Sequence, residues 1–557
     1  MNRIGRSSSI VANSARAIGA GAATLLVSFF VAFPAHGQGL QQMSTRHVRE
    51  ATMNGQAALL GRLPATRALK LNLALPLRNQ AELEDLLQRL SDPKSSSYHQ
   101  FLTVEQFTER FGPTQEDYDA VIHFAQENGL RVTGTAPNRM IVDVTGSVAN
   151  IERAFHVTMG EYQHPTEPRT FFAPDREPTA DLAVTLWHVT GLDNFSIPHP
   201  ASLRQDVVAR PNTTGSGPSG YFIGSDMRAA YYGGTALTGT GQSVGLLEFA
   251  GYNETDVTHY FSQVHQTLSV AVVGVSTDGS SLSCTGSCDD TEQVLDIEAA
   301  ISMAPGMTSV RVYVSDTSDV SIFNRMASDN SAKNLSCSWG WSPADPTSDD
   351  PIFMEFSAQG QNLFVASGDS GAYSTRSTDV YPADDAFVTS VGGTDLTTAS
   401  AGGAWKSETA WRDSGGGISP NKIKIPTYQT TTGVITTANK GSKTLRNSPD
   451  VAAEANTDNY ICYDGTCAGG WGGTSFAAPR WAGYLALVNQ QSVANGRGTL
   501  AFFNQSLYTI GLGSSHATNF HDITSGTNGT YSTETGYDLV TGWGSPNGSG
   551  LINTLAP

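Results

Sequence analysis

Apolar and polar positions alternate with two periods along the chain, and the places where the period changes divide it. Leu69, Leu71, Leu73 and Leu75 fall at every second position, the spacing of a half-buried strand, whereas residues 80–90 carry leucines at helical spacing. A second helix is predicted over residues 114–128, stopping at Gly129. It is followed by strands over 130–133 and 139–144 and a short helix over 148–155. That order predicts a small α+β domain of the split β-α-β, ferredoxin-like type over residues 38–196. Over residues 197–218 the periodicity fades and four prolines stand among serine, threonine and glycine, the composition of an exposed linker open to proteolysis. From Gln242 onward, short apolar runs at 243–247, 309–314 and 362–366 alternate with helical segments. This predicts the buried strands of a parallel α/β sheet with flanking helices, in a domain spanning residues 219–557.

Composition fits this division and narrows the partners. At 557 residues the chain exceeds a typical single domain, and 39% hydrophobic content with 57 glycines describes a turn-rich globular protein. The net charge of −18 falls almost wholly on residues 215–557, which hold 14 basic and 31 acidic side chains. Such a surface repels nucleic acid and anionic lipid, which excludes both as expected partners, and it suits an acidic medium. Arg3, Arg6 and Arg16 precede an apolar stretch over residues 18–33 that ends at Ala35-His36-Gly37. This reads as a secretory leader over residues 1–37, so a secreted protein is expected, with no membrane attachment once the leader is removed. Two close cysteine pairs, Cys284/Cys288 and Cys462/Cys467, fit disulfides in an exported chain better than a zinc site, and Cys337 is left over, expected to be buried.

The candidate chemistry lies in the acidic half. Gly472-Gly473-Thr474-Ser475 leads into a predicted helix, where glycines admit close backbone approach and the helix N-terminus offers positive potential around the Ser475 oxygen. An ordinary helix cap has the same pattern. A nucleophilic serine needs a base, yet none of His259, His265, His516 and His521 lies in a glycine-flanked motif. Glu292 and Asp296 stand four apart on one face of a predicted helix, where two adjacent carboxyls cannot both ionise freely. The alternative is a solvated acidic face, and Glu298 is read that way. Asp369, in Ser367-Gly368-Asp369-Ser370-Gly371, follows an apolar strand at the edge where open α/β sheets hold their sites. It is either a turn former or a protonated acid donating to an oxyanion. Asp522 and Asp538 bracket a loop rich in Gly, Thr and Ser that suits a hard cation such as calcium.

In combination these motifs resemble the sedolisin family of serine-carboxyl peptidases, most closely its kumamolisin-like members. Glu292–Glu298, Ser367–Gly371 and Gly473–Pro479 appear in the family's order, and Tyr98-His99-Gln100-Phe101, Phe111-Gly112-Pro113 and Ile151-Glu152-Arg153-Ala154-Phe155 match its activation domain. The resemblance implies Ser475 as nucleophile, Glu292 as general base and acid, Asp296 as its orienting partner and Asp369 as oxyanion donor. Glu248 and Trp339 would extend the carboxyl network. One structural calcium ion would be held by the side chains of Asp522 and Asp538 and the carbonyls of Ile523, Glu534 and Gly536, with Glu534 standing where relatives often have glycine. The implied protein is an acid-active zymogen, monomeric, acting on proteins or peptides and inhibited by its own N-terminal domain. Endopeptidase action is expected. Three alternatives stay open: a tripeptidyl aminopeptidase of the same family, a histidine-dependent subtilisin-like protease, and a non-catalytic calcium-binding protein on the same scaffold.

Overall fold

A computed structural model of the chain describes residues 41–557, apart from 202–203, 206–214, 286–287, 343, 345 and 375–378. The predicted leader and part of the predicted linker lie outside the described residues. The N-terminal domain contains β1 (Ala68–Ala74), α1 (Gln80–Ser91), α2 (Val104–Arg110), α3 (Gln115–Glu127), β2 (Arg131–Thr135), β3 (Ile141–Ser147), α4 (Val148–Phe155) and β4 (His188–Thr190). Its antiparallel sheet runs β2-β3-β1-β4, the ferredoxin-like order. The Thr114 hydroxyl accepts the Asp117 N–H at 3.0 Å and the Ser147 hydroxyl that of Asn150 at 3.3 Å, which starts α3 and α4 where the periodicity begins. Periodicity misses α2, whose seven residues are too few to display it; a capping box between Thr103 and Gln106 starts that helix.

The C-terminal domain is built from β5 (Ser243–Glu248), β6 (Ala271–Ser276), α5 (Thr291–Met303), β7 (Ser309–Val314), α6 (Asp319–Asp329), β8 (Asn334–Cys337), α7 (Pro346–Gln359), β9 (Asn362–Ala366), β10 (Thr389–Thr398), β11 (Trp405–Ala410), β12 (Val451–Glu454) and α8 (Ala477–Ala494). Its eight-stranded sheet runs β6-β7-β5-β8-β9-β10-β11, with β12 also on β10, and only the β10–β11 pair is antiparallel. Val244, Leu246, Val310, Val312 and Phe364 face a core with Val294 and Ile297 of α5 and Trp481 and Leu485 of α8. Leu247, Tyr313, Leu335, Leu363 and Val365 face a second core with Phe323 of α6 and Phe353 and Phe356 of α7. Both faces are covered, so the strands read as continuous apolar runs.

The second core continues into the N-terminal domain through Leu83, Leu86, Leu90, Phe107 and Phe111, each buried side chain contributing roughly 1.5–3 kcal/mol. Polar contacts fix the docking. Asn138, fully buried, donates to Asn324 Oδ1 at 2.7 Å and to Glu355 Oε2 at 2.8 Å. Lys70 donates to Asp278 and Asp316 at 3.0 and 3.2 Å. Cys284–Cys288 and Cys462–Cys467 are disulfides, and Cys337 is buried and reduced.

Candidate active site

Helix α5 carries Glu292 and Asp296, and all thirteen of its residues are buried. The expectation of a solvated Glu298 is therefore wrong. The hairpin of Asn459–Tyr463 and Thr466–Gly472 covers that side of the helix, and Glu298 accepts the Cys462 N–H at 3.4 Å. That hairpin ends at Gly472, where a Cβ would meet the Asn456 carbonyl carbon at 2.7 Å. The close approach requires glycine and sets Ser475 in a short helical turn, Thr474–Phe476, at the start of α8. Asp369 follows β9, just past Gly368 at φ +98°.

The four candidate residues converge in a buried site: Glu292 is 3% exposed, Asp369 1%, and Asp296 and Ser475 0%. Asp296 Oδ1 accepts the Ser338 hydroxyl at 2.8 Å, and the Ser475 hydroxyl donates to the Ser338 carbonyl at 3.5 Å. Asp369 Oδ1 accepts both the N–H and the hydroxyl of Thr474, at 2.7 and 2.8 Å, and that hydroxyl accepts the Gly368 N–H at 3.0 Å. Ser338 and Thr474 are thus site residues that sequence reasoning missed. Each adjoins a residue the sequence points to, Ser338 before Trp339 and Thr474 before Ser475. Trp339 Nε1 donates to Glu248 Oε2 at 2.9 Å, which brings the two outer residues into the network.

Electrostatics follow from packing. Burial pushes the Glu292 carboxyl well above the usual range, the Asp296 charge adds to this, and the nearby Ser475 hydroxyl pulls the other way. The hydroxyl stops short of a full hydrogen bond, since neither Glu292 oxygen has a partner. Asp296 is raised by burial and then by Glu248, against the Ser338 hydrogen bond; Glu248 is raised by burial against the Trp339 bond. Three carboxyls in one dry row share protons and titrate as a set. His259 bonds Gln263, His516 meets the Trp543 carbonyl and His521 stacks on Trp405 at 3.8 Å. Among the described residues, no histidine hydrogen-bonds Ser475.

The interdomain segment is less open than its composition implies. His199–Pro200 pairs antiparallel with Trp339–Gly340, the Ala201 N–H donates to the Ser338 carbonyl at 3.0 Å, and Arg204–Gln205 pairs antiparallel with Trp471 and Gly472. Residues 199–200 thus pair with the Trp339 segment, and residues 204–205 with the strand that leads into the Ser475 turn.

At the candidate calcium loop, the Gly536 N–H donates to both Asp522 oxygens at 3.2 and 3.1 Å, and the Glu534 N–H to Asp538 Oδ2 at 3.1 Å. Both carboxylates close on residues 534–536, beside buried Ile523, and neither makes an ion pair with Lys or Arg among the described residues. Burial lifts Asp538 to about 7 and also raises Asp522. An oxygen-only, anionic set, with Asp538 buried, Asp522 half-buried and no Lys or Arg paired to either among the described residues, fits a hard divalent cation.

The chain is similar to known peptidases over most of its length. Residues 56–195 match the family described as "Pro-kumamolisin, activation domain" and residues 249–500 the "Subtilase family". The chain is 29% identical to sedolisin of Pseudomonas sp. (strain 101), covering 88% of this chain and 87% of that one. It is 29% identical to kumamolisin of Bacillus sp. (strain MN-32), covering 89% and 93%. Rat tripeptidyl-peptidase 1 is 28% identical, again covering 89% and 93%. Among solved structures, Pseudomonas sedolisin, a serine-carboxyl proteinase complexed with two molecules of pseudo-iodotyrostatin, aligns with a TM-score of 0.53 at 27% identity, over 61% of this chain and 98% of that one.

Proposed function

The chain belongs to the sedolisin family of serine-carboxyl peptidases, with an activation domain ahead of a subtilase-like peptidase domain, and from that premise we propose that it is a secreted, acid-active endopeptidase whose nucleophile is Ser475. The observation that carries this reading is the convergence of Ser475, Glu292, Asp296 and Asp369 in one buried site, with residues 199–200 and 204–205 of the interdomain segment paired to strands beside it. Glu292 takes the Ser475 proton as the hydroxyl attacks a peptide carbonyl. Asp296, held by Ser338, orients Glu292 and shares its proton. The tetrahedral oxyanion is met by a protonated Asp369 and a backbone N–H, Glu292 returns the proton to the leaving amine, and water then repeats the cycle on the acyl-enzyme. Asp369 donates only when protonated, which ties the reaction to acid.

The interdomain segment is the first substrate. The Ala201 amide shares the Ser338 carbonyl with the Ser475 hydroxyl, so the carbonyl of Ala201 is the one offered to the nucleophile and the bond after Ala201 is the first cut. A chain continuing on both sides of that bond favours endopeptidase over tripeptidyl peptidase action. The C-terminal loop would hold calcium through Asp522, Asp538 and the carbonyls of Ile523, Glu534 and Gly536, bracing the fold from outside the reaction. The test is acidification of the purified precursor with mass spectrometry of its fragments, alongside cleavage of N-terminally blocked peptides. A fragment ending at Ala201 and internal cleavage of blocked peptides are expected. Release of tripeptides from free N-termini alone would establish the aminopeptidase instead.

A further inference from the structure

A second acidic cluster lies behind the nucleophile loop. Strands β10 and β12 pair in parallel with Thr394 opposite Glu454, which sets Asp395 beside Glu454 at one sheet edge, and the turn after β12 brings Asp458 to the same point. One carboxylate oxygen from each of the three lies within 4.8 Å of the others. A calcium ion binds oxygens at about 2.3–2.6 Å, so ligands on opposite sides of it stand about 4.6–5.2 Å apart. The cluster already has the span of one coordination sphere.

The second observation is an orphaned ligand atom. Asp458 is 5% exposed, and its Oδ1 is buried with no hydrogen-bond partner, a costly state for an ionised carboxylate. Glu454 is better satisfied, accepting the N–H groups of Leu396 and Asn456. Arg480 adds one positive charge beside the cluster, but its Nη atoms donate to the Glu454 carbonyl and to Asn459 Oδ1, both at 2.6 Å, and its Nε has no partner. Three carboxylates against one guanidinium leave two negative charges, the deficit one divalent ion removes.

We propose that Asp395, Glu454 and Asp458 form a calcium site separate from the Asp522–Asp538 loop. Its place gives it a task. The Gly473 N–H donates to the Ala455 carbonyl at 2.8 Å, and the Gly472 backbone leans on Asn456 and Thr457. An ion gripping the two ends of residues 454–458 braces the turn against which the Ser475 loop rests. The inference does not depend on the peptidase mechanism, since it concerns ion binding by the precursor.

The test is calcium counting on the precursor carrying Ser475→Ala, which prevents self-digestion. Protein dialysed at pH 7.5 against 1 mM calcium, on the order used for sites of moderate affinity, is assayed for bound ion by atomic emission. Asp458→Asn and Asp395→Ala are each expected to hold one ion fewer per chain than the parent. Asp538→Asn probes the other loop independently, and combining it with Asp458→Asn should remove both ions. If Asp458→Asn fails to fold, Asp395→Ala decides, because that side chain is only partly buried. A parent without calcium, or an Asp395→Ala protein that folds and binds as many ions as the parent, overturns the site and leaves the three carboxyls sharing protons with Arg480.

Discussion

Glu292, the proposed base, sits in surroundings that work against its ionisation, so its neighbours govern when it can accept a proton. Replacing it by Gln is expected to lower kcat by ~10²–10⁴, and Ser475→Ala or Asp296→Ala should likewise leave an unprocessed precursor at acid pH; full peptide hydrolysis by any of the three would refute the assignment. Ser338 tests the network more finely. Its hydroxyl lowers the Asp296 carboxyl, so Ser338→Ala raises Asp296 further and delays ionisation of the row. The acid limb of the kcat/KM profile is expected to move to higher pH, whereas a purely structural role would lower activity evenly across pH. Ser475 and the acids were legible as candidates because glycines and apolar neighbours mark them locally. Ser338 was not, because its role is set by partners 42 and 137 positions away.

At the scale of elements, the long periodic segments were read correctly: β1, α1, α3 and α4 lie where alternation or leucine spacing put them. Reading failed where tertiary pairing decides. Prolines and serines around residue 200 have the composition of an open linker, yet pairing with Trp339–Gly340 and Trp471–Gly472 makes short strands of residues 199–200 and 204–205. The fully buried Asn138 is another such case, a polar residue after a turn that joins two domains. Asn138→Ala strips donors from Asn324 and Glu355, at about 1–3 kcal/mol for each buried group left unpaired. The isolated activation domain carrying this change should inhibit the mature enzyme roughly 10-fold or more less tightly than the unaltered domain, read from inhibition constants at one pH. An unchanged constant would mean that the apolar contacts of Phe107 and Phe111 hold the interface alone.

For the whole molecule, charge and burial give two opposed responses to pH. Burial lifts Glu355 to about 8, and Asp290 to about 6. A carboxyl raised on folding stabilises the protein fully below its unfolded value, near 4.5 for Glu355, and ceases to as pH rises through the folded value. At about 1.4 kcal/mol per pH unit, each such group withdraws on the order of a few kcal/mol. The precursor is therefore expected to melt at a higher temperature at pH 5 than at pH 8, as calorimetry would register. The Lys70 contact runs the other way. Burial works to raise Asp278, but hydrogen bonds from Ser280 and Lys70 hold it below 3.8, so that tie persists above this value and is lost as pH falls through the lower, folded one. Strong acid thus loosens the domain interface while leaving the catalytic domain's buried acids neutral and content. Lys70→Ala should flatten the rise in maturation rate below about pH 4.

The pairing of residues 199–200 and 204–205 with the peptidase domain of the same polypeptide also bears on how maturation scales. With the proposed cut after Ala201, enzyme and scissile bond belong to one molecule, and encounter between two molecules adds nothing to the rate. Conversion should follow first-order kinetics with a half-time indifferent to dilution, and seeding with mature enzyme should not hasten it; a half-time that shortens with concentration would place the first cut between molecules.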